Sequence, residues 1–299
     1  MIDRRVRGVF YILIAVLSLS FAPTMIKVGL NDAVDPVLLL ALRLVISAVF
    51  LWMVFALFHR PLLSMDRSGL RACFFVGIAN GTSLLFYYLA LTRIDVSIAH
   101  IIFSLYPLLT LLMLAFRGEP LTMINGLRLG LALMGAYLLI GPGGQVDLLG
   151  VLLVAGTAFF YALHFNLIQW TLKEYPPQTS TVYVITIMAV YVSAVCLIRA
   201  SRTPSISAMG WFVILGTAFI STVLARLAMF AGIQLIGSGQ AALLGPLETL
   251  LAVMWAVLQL GEQLSSVQWL GGLLILAGAG LVAMRLPPSR TLESSAKYG

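Results

Sequence analysis

Two ionisable side chains stand well inside apolar runs, where hydrocarbon surroundings make an unpaired charge expensive: Arg226 and Glu248. Arg226, with Thr222 one turn before it, offers a planar fork of donors that matches a carboxylate. Its other readings are an ion pair with Glu248 or a brace on backbone carbonyls. Glu248 can hold an ammonium group or a proton in a cavity, or form the acidic half of that same buried pair. If both face one cavity, they complement a zwitterion, Arg226 for its carboxylate and Glu248 for its amine.

Weaker polar groups recur at helical spacing. Asn80, Ser83 and Tyr87 are spaced three and four, as are Ser97, His100 and Ser104, while Thr157, Tyr161 and His164 are spaced four and three. Ser20, Thr24 and Lys27 form another such row. At 3.6 residues per turn, Gln240, Leu244, Glu248, Trp255 and Gln259 project onto one face. Such stripes mark helices that face a polar cavity rather than lipid. Their plainer reading is hydrogen bonding between helices, worth ~0.6 kcal/mol on average in membranes. For either histidine taken alone, that structural reading is the better one. Tyr87, Tyr88, Tyr106, Tyr161 and Trp255 could line a site for apolar groups or cations, though aromatics at this spacing more often pack. The candidate substrate contacts are therefore Asn80, Tyr87, His100, Tyr161, His164, Arg226, Glu248 and Trp255. No His/Cys/Asp/Glu cluster has metal-ligand spacing, and no nucleophile–base pair is legible. Neither a metal, a cofactor nor an enzymatic activity is expected.

The elements that carry these residues follow from composition. Of 299 residues, 61% are hydrophobic before the 26 glycines are counted, and 10% are charged, against about 25% charged in soluble chains. So thin a charge cannot cover a water-soluble surface, and the chain reads as a polytopic membrane protein. Ten apolar runs bounded by charge, Pro or Gly predict helices near Gly8–Leu30, Pro36–Phe58, Leu70–Leu91, Ser97–Phe116, Met123–Ile140, Leu148–Trp170, Thr179–Ile198, Met209–Ile236, Gln240–Leu260 and Ser266–Met284. The connections are too short for a nucleotide-binding domain, and no GxxxxGK[ST] loop occurs, which excludes an ATP-driven pump on this chain. The first run resembles a signal peptide, with Arg4, Arg5 and Arg7 ahead of it, but it continues past Ala22 and is read as a retained helix. The net charge of +7 sits mostly at the ends of apolar runs, where topology determinants belong, so no nucleic-acid partner is expected. With ten spans both termini share a side. That side carries eleven basic residues against four, which places both termini in the cytoplasm. Cys73 and Cys196 lie inside apolar runs and form no framework.

The chain also repeats itself. Gly8 recurs as Gly150, Ala90-Leu91 as Gly232-Ile233 and Ser97 as Gly239, each 142 residues later. Gly118-Glu119-Pro120-Leu121-Thr122 recurs as Gly261-Glu262-Gln263-Leu264-Ser265. Five helices per half is an odd number, so the second copy enters the bilayer from the opposite side. The expectation is an all-α integral membrane protein of two inverted five-helix repeats, 1–141 and 142–285, with a cytoplasmic tail at 286–299. Pro107 in the fourth run and Pro246 in the ninth lie within a turn of equivalent positions. Paired interruptions of this kind point to a transporter site near the midplane.

The doubled unit and the Gly-Glu-x-Leu-Ser/Thr turns with Glu119 and Glu262 resemble the drug/metabolite transporter superfamily, in its ten-helix EamA-type branch. The Leu-Arg-Leu around Arg43 and the glycine-rich fifth and tenth runs complete the resemblance. In length and organisation the chain is similar to the YddG-type amino-acid exporters. The resemblance implies a secondary transporter of small metabolites in the cytoplasmic membrane, with amino-acid export the preferred activity. Protons are a candidate coupling ion, lipid is the surroundings, and the chain is expected to be a monomer. It also implies that Arg43 is a gating or structural residue, and Glu119 and Glu262 read as structural carboxylates that bond backbone amides at a helix start. Phosphorylated substrates are disfavoured, because Arg226 is the only basic residue expected well inside the cavity. The rivals are an exporter of lipophilic cations or drugs, which would keep Arg226 out of the cavity, and, more remotely, a membrane-embedded enzyme.

Overall fold

The computed structural model describes residues 4–117, 130, 131, 134, 135, 138, 147–199, 205–242 and 244–283. Its helices start where capping chemistry permits. Asp35 precedes Pro36, and its carboxylate accepts from the Val37 and Leu38 amides at 2.9 and 3.0 Å. This starts α3 (Pro36–Phe58). Asp66 caps α4 (Arg67–Ala90) through the Gly69 amide, and Asp147 caps α7 (Leu148–Thr171) through Leu149 and Gly150. Each acid satisfies amides that the first turn leaves without partners. Two of these carboxyls sit below the usual range for a physical reason. The Gly69 amide and then the Tyr175 hydroxyl stabilise ionised Asp66, and the Arg93 guanidinium, 2.8 Å away, does the same for Asp147.

The remaining elements are α1 (Arg4–Ser20), α2 (Ala22–Asn31), α5 (Val96–Phe103), α6 (Tyr106–Ala115), α8 (Pro177–Ile198), α9 (Ala208–Gly216), α10 (Ala225–Ala242), α11 (Gly245–Trp255) and α12 (Ser266–Ala283). Among the described residues, seven helical segments are long and apolar enough to cross a membrane, and Leu247–Leu260 is a shorter apolar one. One of the seven, Ala208–Ala242, contains Gly237 at φ 83°. A side chain would strain that backbone, and this is where the expected eighth and ninth runs meet. The expected fifth run, Glu119 and the tail at 286–299 lie outside the described residues, apart from five positions of that run.

Several expected helices are interrupted. The fourth divides into α5 and α6 at Ser104–Leu105, with Pro107 the second residue of α6. The ninth is broken before Gly245, with Pro246 second in α11. The first bends at Phe21 before Pro23. Proline supplies no amide to the preceding turn, so each break falls just ahead of one. Two segments, Thr217–Leu224 and Ala256–Leu260, are wound as π-helix.

Polarity is arranged inside out. Phe74, Phe75, Val49, Leu57 and Phe212 are exposed, whereas Arg43, Asn80, His164 and Arg226 are buried, as expected where lipid covers the outside. α1 packs on α10, α4 on α7, and α3 on α8. The closest approaches use glycine: a Cβ on Gly8 would run into Ile236, and one on Gly150 into Ile94. Both members of one contact stand 142 residues from their counterparts in the other.

Candidate functional site

Helices α1, α2, α3, α4, α5, α7, α10 and α11 enclose a cavity of about 50 Å³. Its walls include Arg43, Ser83, Tyr87, His100, Phe103, Thr157, Tyr161, Arg226 and Glu248, with Leu19, Pro23, Ile26 and Leu84 as apolar neighbours. Ligand pockets usually run to several hundred Å³. A ligand of that size needs more room than these walls leave.

Arg226 is 2% exposed and held from three sides. Nη1 donates to His164 Nε2 at 3.3 Å and lies 3.8 Å from Met229 Sδ, and Nη2 donates to Asn80 Oδ1 at 3.2 Å. Its Cζ lies 5.8 Å from the centre of the Tyr161 ring, over the ring face. His164 Nδ1 lies 3.3 Å from the Val76 carbonyl. That contact needs the proton on Nδ1, which leaves Nε2 a lone pair for the guanidinium: a neutral imidazole. Asn80 is oriented in turn, its Nδ2 set on Met188 Sδ at 3.3 Å. Asn80 and His164, expected among the substrate contacts, stand behind Arg226 rather than in the cavity wall.

Glu248 lies in the first turn of α11, just after the break in the ninth helix, and lines the cavity. No ion pair joins it to Arg226. Its ion-pair neighbour is His100, with Nε2 3.9 Å from Oε1. His100 Nδ1 is 2.6 Å from the Tyr87 hydroxyl, while Nε2 is buried without a hydrogen-bond partner. The uniform face expected along the ninth helix does not survive the break and the π-helical segment at Ala256. Trp255, two turns beyond Glu248 in the same helix, is absent from the cavity wall and stacks on Phe21, with ring centres 4.1 Å apart.

Arg43 is the residue sequence reasoning underweighted. Expected to gate or brace, it lines the same cavity, 2% exposed. Nε donates to Thr222 Oγ1 at 2.6 Å and Nη1 to the Tyr88 hydroxyl at 2.9 Å. Thr222 sits in the π-helical stretch Thr217–Leu224 and bonds the Thr217 carbonyl at 3.2 Å. Such local rewinding is frequent at functional sites. A lone guanidinium in an apolar run was the available signal, the same one that marks Arg226. Arg226 is thus joined by a second basic residue in the wall, which removes the expected ground for disfavouring more highly charged anions.

Glu262 accepts the Val96 and Ser97 amides, both at 2.8 Å. It caps α5, more than 160 residues earlier in the chain, rather than the helix that follows it. The carboxylate satisfies amides at the positive end of that helix. Glu262→Ala should therefore loosen this end of the bundle by about 1–2 kcal/mol, a roughly five- to thirty-fold shift in opening. A single cysteine at position 96, in a background lacking Cys73 and Cys196, should react correspondingly faster with a polar thiol reagent. Equal labelling rates with and without Glu262 would remove this role.

The model of the EamA-like transporter family matches residues 6–141 and 148–284. A protein of Archaeoglobus fulgidus, described as an uncharacterized transporter, is 24% identical over 214 residues, covering 70% of this chain and 75% of its own. A protein of known crystal structure superimposes with a TM-score of 0.68 over 93% of this chain and 96% of its own. At 19% identity that likeness speaks to the fold alone.

Proposed function

This chain belongs to the EamA-like transporter family, and from that premise we propose that it exports amino acids across the cytoplasmic membrane by alternating access. The family makes it a membrane transporter rather than an enzyme. In this reading ten helices form two inverted halves, 1–141 and 142–285, with both termini cytoplasmic. Two family matches along one chain and the crossed Gly8–Ile236 and Gly150–Ile94 contacts support the duplication. The paired breaks in the fourth and ninth helices support a site at the interface between halves.

One observation carries the substrate class: Arg226 and Glu248 face a single buried cavity without pairing to each other. Not neutralised by each other in a low-dielectric interior, both charges are costly, and a zwitterion relieves both at once. Its carboxylate would lie on Arg226, whose orientation His164 and Asn80 hold, and its ammonium on Glu248. A lipophilic cation would relieve Glu248 but set its own charge among two guanidinium groups, which argues against the drug-exporter reading.

Counterflow in proteoliposomes loaded with each of the twenty amino acids, following entry of labelled amino acid, tests this. A subset should exchange. Folded, monodisperse protein that exchanges none would overturn the substrate class.

A further inference from the structure

The cavity's charges do not balance, and the imbalance is informative. Arg43 and Arg226 both line it, and every hydrogen-bond acceptor they reach is neutral: Thr222 and Tyr88 for one, His164, Asn80, Met229 and the Tyr161 hydroxyl for the other. Arg43 Nη2 donates to nothing among the described residues. Glu248 is the one carboxylate among the described lining residues, and it is nearest His100. The arginine and glutamate side chains alone give the wall two positive charges and one negative.

The two guanidinium groups are also held by different partners, Arg43 by Thr222 and Tyr88 and Arg226 by His164 and Asn80. Two forks anchored separately suit two anionic groups better than one carboxylate shared between both, and bidentate pairing needs a planar partner for each.

We infer that the substrate bears two carboxylates and one ammonium group, an acidic amino acid or close analogue, with Arg43 taking the second carboxylate. This rests on the amino-acid reading above and narrows it. The α-carboxylate lies on Arg226, the ammonium on Glu248, and the side-chain carboxylate, two or three carbons away, on Arg43 Nη2. Bound in this way, the ligand brings one net negative charge, which offsets the excess positive charge of these three side chains.

The test compares near-isosteres. Counterflow of L-aspartate and L-glutamate should exceed that of L-asparagine and L-glutamine by roughly tenfold or more, since the amides leave a buried charge unpaired. Arg43→Gln should reduce that preference to within about threefold, with Arg43→Lys between the two. Because Arg43 is buried, a wild-type measurement accompanies the variants: succinate and glutarate, which lack the ammonium, should compete for labelled aspartate more weakly than unlabelled aspartate does. Amides exchanging as fast as the acids in wild type would overturn this inference and leave amino-acid transport standing. Dicarboxylates competing as well as aspartate would overturn it too, by removing the ammonium contact. Exchange of no amino acid at all would defeat the broader reading with it.

Discussion

Arg226→Ala should abolish amino-acid exchange while leaving the protein folded. The guanidinium is buried and oriented by His164 and Asn80, so a substrate carboxylate would meet it desolvated and already aimed. Truncating one side of such a contact costs about 2–5 kcal/mol, or roughly 30- to 5,000-fold in affinity. Arg226→Lys separates charge from geometry. An ammonium keeps the charge but cannot reach His164, Asn80 and a carboxylate together from one planar fork, so a loss of roughly tenfold or more should remain. Removing the charge should not by itself unfold the chain, because its present partners are neutral and no carboxylate is left stranded. Counterflow at saturating and subsaturating substrate, with gel-filtration profiles of the detergent-purified variants, checks both parts. Wild-type exchange in the alanine variant would place the carboxylate elsewhere.

The second large effect is expected from Glu248→Gln, which keeps the size and hydrogen-bonding capacity of the side chain and removes its charge. Exchange of substrates bearing an ammonium should fall by roughly 10²-fold, in line with about 2–5 kcal/mol for a buried charged contact that loses one partner. Competing carboxylates that lack the amine should weaken far less, so the ratio of the two inhibition constants is the diagnostic. Glu248 is also where a coupled proton would reside between substrates, with His100 3.9 Å away and Tyr87 on its far nitrogen. If protons drive the exchange, net proton movement, followed with a pH-sensitive dye in the lumen, should disappear in this variant along with its dependence on an imposed pH gradient. A variant that still exchanges amino acids at the wild-type rate would remove Glu248 from the binding site. One that exchanges slowly yet moves protons in the wild-type ratio would remove it from coupling.

Much of this was legible in the residues alone, for reasons of solvation. Hydrocarbon tolerates no unpartnered polarity, so apolar length marks the helices, and each buried charge or polar stripe marks a place where something must answer it. Arg226, Glu248, Tyr87, His100 and Tyr161 were legible on that ground, and all five line one cavity. The prolines marked the helix breaks because the missing amide acts locally. Periodicity failed where the helix itself failed: an unbroken period of 3.6 put Gln240 and Gln259 on the face of Glu248. The break before Gly245 and the π-helical segment from Ala256 part those two from it, while Trp255, two turns along α11 from Glu248, stacks on Phe21.

What the side chains touch was decided only in three dimensions. Arg226 and Glu248 are opposite charges near one another in the chain, and pairing was an open reading. Folding instead gave Arg226 to His164 and Asn80, from helices α7 and α4, and set Glu248 beside His100. Arg43, isolated in its run, became a wall of the site because α3 packs on the rewound segment that carries Thr222. Glu262 capped a helix from the other end of the chain rather than its own neighbour. Solvation and backbone chemistry are properties of each residue and its near neighbours, so they can be read along a chain. A hydrogen-bond partner is chosen among all the groups that packing brings within about 3 Å, and most of those are distant in sequence.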